Sequence, residues 1–249
     1  MDKSNLIFLD TETTGLGAED RLCQVAYKFQ GNEVNGIFKP EVPISVEAMS
    51  ISHITNKMVA DKKSFSGSEM FRDLEKIFAD QNILVAHNAG FDAEMLKREG
   101  LEPKQMIDTF KIAAHLDETG EIPKYNLQYL RYYFDFEIEN APAHDAMGDV
   151  RVLEVLFDFY FDKMKEKIDD ERKIIEEMVK ISELPVLIKK FNFGKYNGRI
   201  IAEVAQEDEG YLKWLLGEKI KEQDGGVRDN SDWIFTLSKY LNEGKATLF

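Results

Sequence analysis

Covalent cross-links cannot hold this chain together, because its 249 residues include one cysteine, Cys23. That excludes an internal disulfide and a cysteine-based zinc site, and it fits a reducing, cytoplasmic setting. No apolar run approaches the ~20 residues of a membrane span. The N-terminus, Met1-Asp2-Lys3-Ser4-Asn5, lacks a basic region and precedes only four apolar residues, so neither a signal peptide nor a membrane partner is expected. Positive charge is also in short supply, with 32 Lys and Arg against 46 Asp and Glu and a net charge of −14. This balance speaks against broad electrostatic binding of nucleic acid. It still allows a local basic track, or an acidic site whose metals supply the positive charge. Internal repeats and low-complexity tracts are missing too. At this length the chain can form one large domain, or one medium and one small.

What is present begins at Leu6-Ile7-Phe8-Leu9, which reads as a buried strand. It runs into Asp10-Thr11-Glu12 and then a Thr13-Thr14-Gly15-Leu16 turn. If the strand continues, its period of two places Asp10 and Glu12 on one face. Adjacent carboxylates at the end of a buried strand repel each other and resist desolvation, and a divalent metal is the natural compensation. A strand ending at a solvated turn is the alternative that this stretch alone leaves open.

Further strands are expected at Leu22 to Phe29 and Val34 to Lys39, joined as antiparallel hairpins. Pro40 and Pro43 open a loop that leads to Ile51-Ser52-His53-Ile54-Thr55. A helix over Ser68 to Ala79, a buried strand at Ile83 to Ala86, and a helix carrying Met95 and Leu96 follow. Met106-Ile107 reads as a last short strand. Helices are then expected through Ala113-Ala114, around Leu127 to Phe134, and beyond Pro142, the last with Val150, Leu153, Leu156, Phe157 and Tyr160 on one face. Hairpins followed by alternating strands and helices imply an α/β domain with a mixed sheet over residues 1–162. A connecting helix is expected over 163–183 and ends at Pro185. A small second domain over 184–249 carries short aromatic segments punctuated by glycine.

Polar residues cluster at the ends of these elements. Asp92 opens a helix, where a capping role is also open. Asp149 shares the apolar face of Leu153 and Leu156, and a carboxylate aimed at the core needs a partner. His144 lies five residues earlier, about 140° away on a helix of roughly 3.6 residues per turn. It is therefore expected on the loop before that helix, able to turn toward a site shared with Asp149. His87 is expected to be structural, and His115 to sit at a helix end. Four carboxylates without cysteine favour Mg²⁺ or Mn²⁺ over zinc. Two such ions would suit phosphodiester cleavage, with His144 as general base.

Asp10-Thr-Glu12-Thr-Thr-Gly-Leu16, His87-Asn88-Ala-Gly-Phe91-Asp92 and His144-x4-Asp149, in that order, resemble the three motifs of the DEDDh exonuclease family. That family includes the proofreading subunit of bacterial DNA polymerase III, ribonuclease T and oligoribonuclease. Ile51-Ser-His53-Ile-Thr55 is similar to its His-Gly-Ile-Thr segment, with Ser52-His53 in place of His-Gly. The resemblance implies a ribonuclease H-like fold, a mixed five-stranded sheet flanked by helices. It implies 3′→5′ hydrolysis to nucleoside 5′-monophosphates, with Asp10, Glu12, Asp92 and Asp149 holding two Mg²⁺ or Mn²⁺ ions and His144 as base. Thr13, Thr14, Gly15 and Leu16 match the positions that hold the terminal nucleotide, through backbone groups, Thr hydroxyls and a Leu16 wedge. His53 and Asn88 join this substrate-binding set.

Near the C-terminus, Lys189 to Arg199 interleaves four bases with three aromatics and contains no acid. That composition suits a single strand, although a small β-turn with surface lysines would carry it too. The run from Phe193 through Arg199 to Leu216 resembles the C-terminal module of exodeoxyribonuclease X-like proteins. It implies a grip on nucleic acid by Lys195, Tyr196 and Arg199, and favours DNA over RNA. The expected partners are DNA 3′ ends, single-stranded, with a DNA polymerase as a further candidate and the oligomeric state open. An exoribonuclease of the ribonuclease T or oligoribonuclease type is the enzymatic alternative. A non-catalytic nucleic-acid-binding module is the other.

Overall fold

The computed structural model describes residues 1–143, 145–226 and 229–246, the last four of these by backbone alone. Two compact units are present: residues 1–110 with 124–182, and residues 111–123 with 183–249.

The first unit is built on β1 (Leu6–Thr13), β2 (Leu22–Phe29) and β3 (Asn32–Ile37). These strands pair antiparallel in chain order. Next come the short helices α1 (Val46–Ser52) and α2 (Asn56–Val59), then α3 (Glu69–Ala79), β4 (Ile83–Ala86), α4 (Ala89–Arg98) and β5 (Gln105–Asp108). β4 pairs parallel with β1, and β5 parallel with β4, so the mixed five-stranded sheet has the order β3-β2-β1-β4-β5. α5 (Thr109–Leu116) leads out of the unit, and α6 (Leu127–Tyr133), α7 (Ala146–Lys165) and α8 (Glu171–Glu183) complete the chain's return.

Alternation along β1 sorts its residues between two layers. Ile7 and Leu9 join Leu74 and Phe78 of α3 and Met95 and Leu96 of α4 in one buried cluster. Phe8, on the other face, meets Phe157 of α7 edge-on at 5.3 Å between centroids. Ion pairs tie α7 to the same strands: Lys28 reaches Glu154 at 2.6 Å, and Lys3 reaches Glu154 at 3.0 Å and Asp158 at 2.7 Å.

The structure departs from the sequence expectations in two places here. The loop after Pro43 contains α1, started by Ser45, whose side chain accepts from the Ala48 amide at 3.1 Å. Cys23 is buried in a cluster with Val59 of α2 and with Ile44 and Ile54, which flank α1, and Ala48 and Met49 of α1 pack against it. The helix expected over 163–183 is divided. α7 ends at Lys165, and α8 buries Ile174, Met178 and Val179 in the first unit rather than bridging out of it.

In the second unit, α9 (Ile201–Glu207), α10 (Glu209–Asp224) and α11 (Ser231–Ala246) pack around Phe191, Ile201, Val204, Leu212, Leu215, Leu237 and Leu241. A 3₁₀ turn at Gly194–Tyr196 and a bridge between Lys190 and Ile200 fold the preceding segment onto this core.

Candidate active site

Asp10 and Glu12 lie on the face of β1 that Phe8 turns toward α7, and Asp149 comes from the first turn of α7. One carboxylate oxygen from each of Asp10, Glu12 and Asp149 lies within 4.8 Å of the others. The start of α7 is fixed locally. Asp145 caps it, its side chain accepting from the Gly148 amide at 3.0 Å. Gly148 is required there, because any Cβ would collide with the Pro142 carbonyl. Arg151, the nearest base in sequence, turns away and pairs with Glu33 at 2.6 Å.

Asp92 comes from α4, on the opposite layer, and is buried. Thr11, between the two acids but on the alternate face of β1, donates from Oγ1 to Asp92 Oδ1 at 2.7 Å. Asp92 is thus held beside the group without being one of the three close oxygens.

The electrostatics are those of crowded, buried carboxylates. Burial is the largest effect on Asp10 and raises its carboxyl well above the usual range, with further raising by Asp92, Asp149, Glu12 and Asp145. Burial likewise pushes Glu12 up to about 8, with Asp149, Asp92 and Asp145 adding to it. Asp92 is raised to about 7 by burial, against the lowering effect of its hydrogen bond from Thr11. Crowded carboxylate oxygens, buried beside one another, are a fitting donor set for a hard divalent ion.

The turn after β1 is held from within. Thr13 Oγ1 donates to the Gly15 carbonyl at 2.7 Å. Thr14 is fully buried, donates to Asp20 Oδ1 at 2.6 Å and accepts from the Arg21 amide at 3.1 Å. Both Thr hydroxyls thus donate within the turn and shape it. Gly15 passes so close to Asp20 that a Cβ would come within 2.7 Å of Oδ2. Leu16 stands at the tip, 85% exposed.

Asn88 is exposed, adopts φ +65°, and is set by its amide donating to Asp108 Oδ1 at 2.9 Å. His53 is exposed at the C-terminal cap of α1. His87 is structural: its ring nitrogens meet Thr109 Oγ1 at 2.9 Å and the Tyr125 carbonyl at 2.6 Å. A carbonyl can only accept, so Nε2 carries the proton. His144 lies outside the described residues.

Lys195, Tyr196 and Arg199 have a different local chemistry from the one their segment suggests. Lys195 pairs with Asp208 at 2.9 Å, and Tyr196 donates to the same carboxylate at 2.7 Å. Arg199 makes a two-pronged contact with Glu207 at 2.7 and 2.8 Å. The acids arrive from α9 and the start of α10, so two of the four bases of this segment, Lys195 and Arg199, are paired with carboxylates in the fold.

Thr11, Asp20 and Asp145 are not among the residues that the sequence motifs bring forward. Asp145 had a signal, an acid directly before an apolar helix. Thr11 acts through a contact with a distant segment, and Asp20 through a turn that closes back on Thr14.

Fold and site together define a nuclease-like α/β protein with a carboxylate centre. The chain belongs to the exonuclease family, whose model matches residues 7–157. A second match, the exodeoxyribonuclease X-like C-terminal family, covers residues 191–219. The chain is 31% identical over 218 residues to exodeoxyribonuclease 10 of Escherichia coli (strain K12), covering 85% of this chain and 90% of that protein. It is 35% identical over 160 residues to the DNA polymerase III subunit epsilon of Treponema pallidum (strain Nichols), covering 59% of this chain and 72% of that one. Among solved structures, exonuclease X in complex with 5′ overhanging duplex DNA is similar with a TM-score of 0.55 and 27% identity, covering 71% of this chain and 99% of that one.

Proposed function

We propose that this chain is a metal-dependent 3′→5′ exonuclease that removes nucleoside 5′-monophosphates from DNA 3′ ends. The observation that carries this reading is the convergence of Asp10, Glu12 and Asp149 within 4.8 Å at the end of a buried strand. The match to exodeoxyribonuclease 10 along most of both chains supports DNA as the substrate.

Asp10, Glu12 and Asp149, with Asp92 beside them, would hold two Mg²⁺ or Mn²⁺ ions. When bound, such ions activate a water and stabilise the leaving oxygen. The chain's own residues do the rest. His144 is assigned the proton of the attacking water, because an imidazole is neutral and basic near pH 7. Thr11 keeps the Asp92 carboxylate turned toward β1. Leu16 offers an exposed apolar edge against the terminal base, and the rigid Thr13–Gly15 backbone below it sets where that base stops. All five residues of the catalytic set are present, which favours an enzyme over a silent binding module.

Side-by-side digestion of matched DNA and RNA single strands tests the substrate. Faster release of mononucleotides from DNA is expected, and equal or faster RNA cleavage would move the protein to the ribonuclease T or oligoribonuclease type.

A further inference from the structure

We infer that Gln128 is a positioning residue of this centre, and that its side-chain amide sets the Asp149 carboxylate for metal binding. This rests on the metal-dependent reading above. Gln128 belongs to α6, which is held by the burial of Leu127 and Leu130 and carries Gln128 alongside α7. Its Nε2 donates to Asp149 Oδ1. The amide's orientation is dictated by its partner, since an ionised carboxylate only accepts. A carboxylate held at one oxygen is restricted in rotation, which limits where its remaining lone pairs point.

A second observation separates this contact from ordinary packing. The other end of the amide, Gln128 Oε1, is buried and meets no donor among the described residues. Buried acceptors are almost always satisfied, and exceptions gather where a ligand or ion completes the site. An amide that donates to a ligand carboxylate while presenting a bare carbonyl oxygen beside it suits a shell around a hydrated cation. Its donor side orients the ligand, and its acceptor side would be available to a water held with the ion. Outer-shell partners of this kind typically govern affinity or activity by 10–100-fold.

The test uses the full chain with Mn²⁺ as probe. Binding is measured by titration calorimetry, and kcat and KM on a DNA oligomer are measured across Mn²⁺ concentrations. Gln128→Met keeps the length and bulk of the side chain but removes donor and acceptor. Gln128→Ala is the second variant, and metal-free thermal unfolding reports whether each is folded. The expected result is Mn²⁺ affinity weakened about 10–100-fold in Gln128→Met, with kcat lowered at limiting metal and largely restored at excess, and KM for DNA unchanged. Wild-type binding with Gln128→Met within twofold of it would overturn the role of Gln128 alone. Absence of Mn²⁺ binding by the wild-type chain would overturn it together with the metal reading.

Discussion

At the scale of residues, the site is a balance between burial and repulsion. Glu12 and Asp92 keep their protons to about pH 8 and 7 without metal. Unfolded, they would release them near their ordinary values of 4.5 and 3.8. The folded state then binds more protons between those limits, so stability present at low pH is lost as pH rises through them. In EDTA, the unfolding midpoint should fall between pH 5 and 8, and Mg²⁺ should reverse most of the fall. A midpoint indifferent to Mg²⁺ at pH 8 would contradict this. His87 works in the other direction. Burial lowers it to about 4, so the unfolded chain binds the extra proton between about 6.5 and 4 and stability is lost as pH drops through that range. With Mg²⁺ present, His87→Gln should flatten the loss in urea unfolding between pH 7 and 5, whose ceiling is about 1.4 kcal/mol per unit of pKa difference. The carboxylates were legible in the sequence because strand alternation and helix periodicity are local. The Thr11–Asp92 hydrogen bond joins residues 81 apart, and Gln128–Asp149 joins residues 21 apart, so only the packed fold displays them.

At the scale of elements, the turn after β1 is organised around one carboxylate, that of Asp20. Thr13-Thr14-Gly15-Leu16 closes β1, and the Thr14 hydroxyl is enclosed with Asp20. Asp20 also accepts from the Gly17 amide at 2.6 Å, so it is the hub of the turn. Gly15→Ala would press on that hub and should lower both stability and activity. Leu16→Ala, at an exposed tip, should leave the unfolding midpoint unchanged and raise KM for DNA several-fold. An unchanged KM would remove Leu16 from the substrate contacts. The strands and long helices were legible through their apolar periodicity. The short α1 and α2 were not, because seven and four residues give no period to detect. Their signal was the Ser45 and Thr55 caps instead.

At the scale of the whole molecule, the chain crosses between units three times, since residues 111–123 belong with the C-terminal helices. Cutting the chain after Glu183 would strip that segment of its core, so point variants are the cleaner probe. Lys195 and Arg199 face Asp208, Glu203 and Glu207, and the patch carries no surplus positive charge. The double variant Lys195→Ala with Arg199→Ala should therefore change the salt slope of DNA binding by less than about one unit. A drop of about two would mean that both reach phosphates. The composition of 189–199 does not show this pairing, because the acids lie outside it, 4 to 13 residues after the bases, and are folded back onto them.

The measurement that bears most directly on the metal-carboxylate centre is release of a labelled 3′-terminal nucleotide from single-stranded DNA by wild type and Asp10→Ala, each with Mg²⁺ or Mn²⁺ and each in EDTA. The centre described here predicts that wild type with metal releases the label as a 5′-monophosphate. EDTA and Asp10→Ala should each reduce the rate by more than the about 100-fold expected for losing an outer-shell contact. Equal loss of label from wild type and Asp10→Ala, or a label left intact by both, would contradict it.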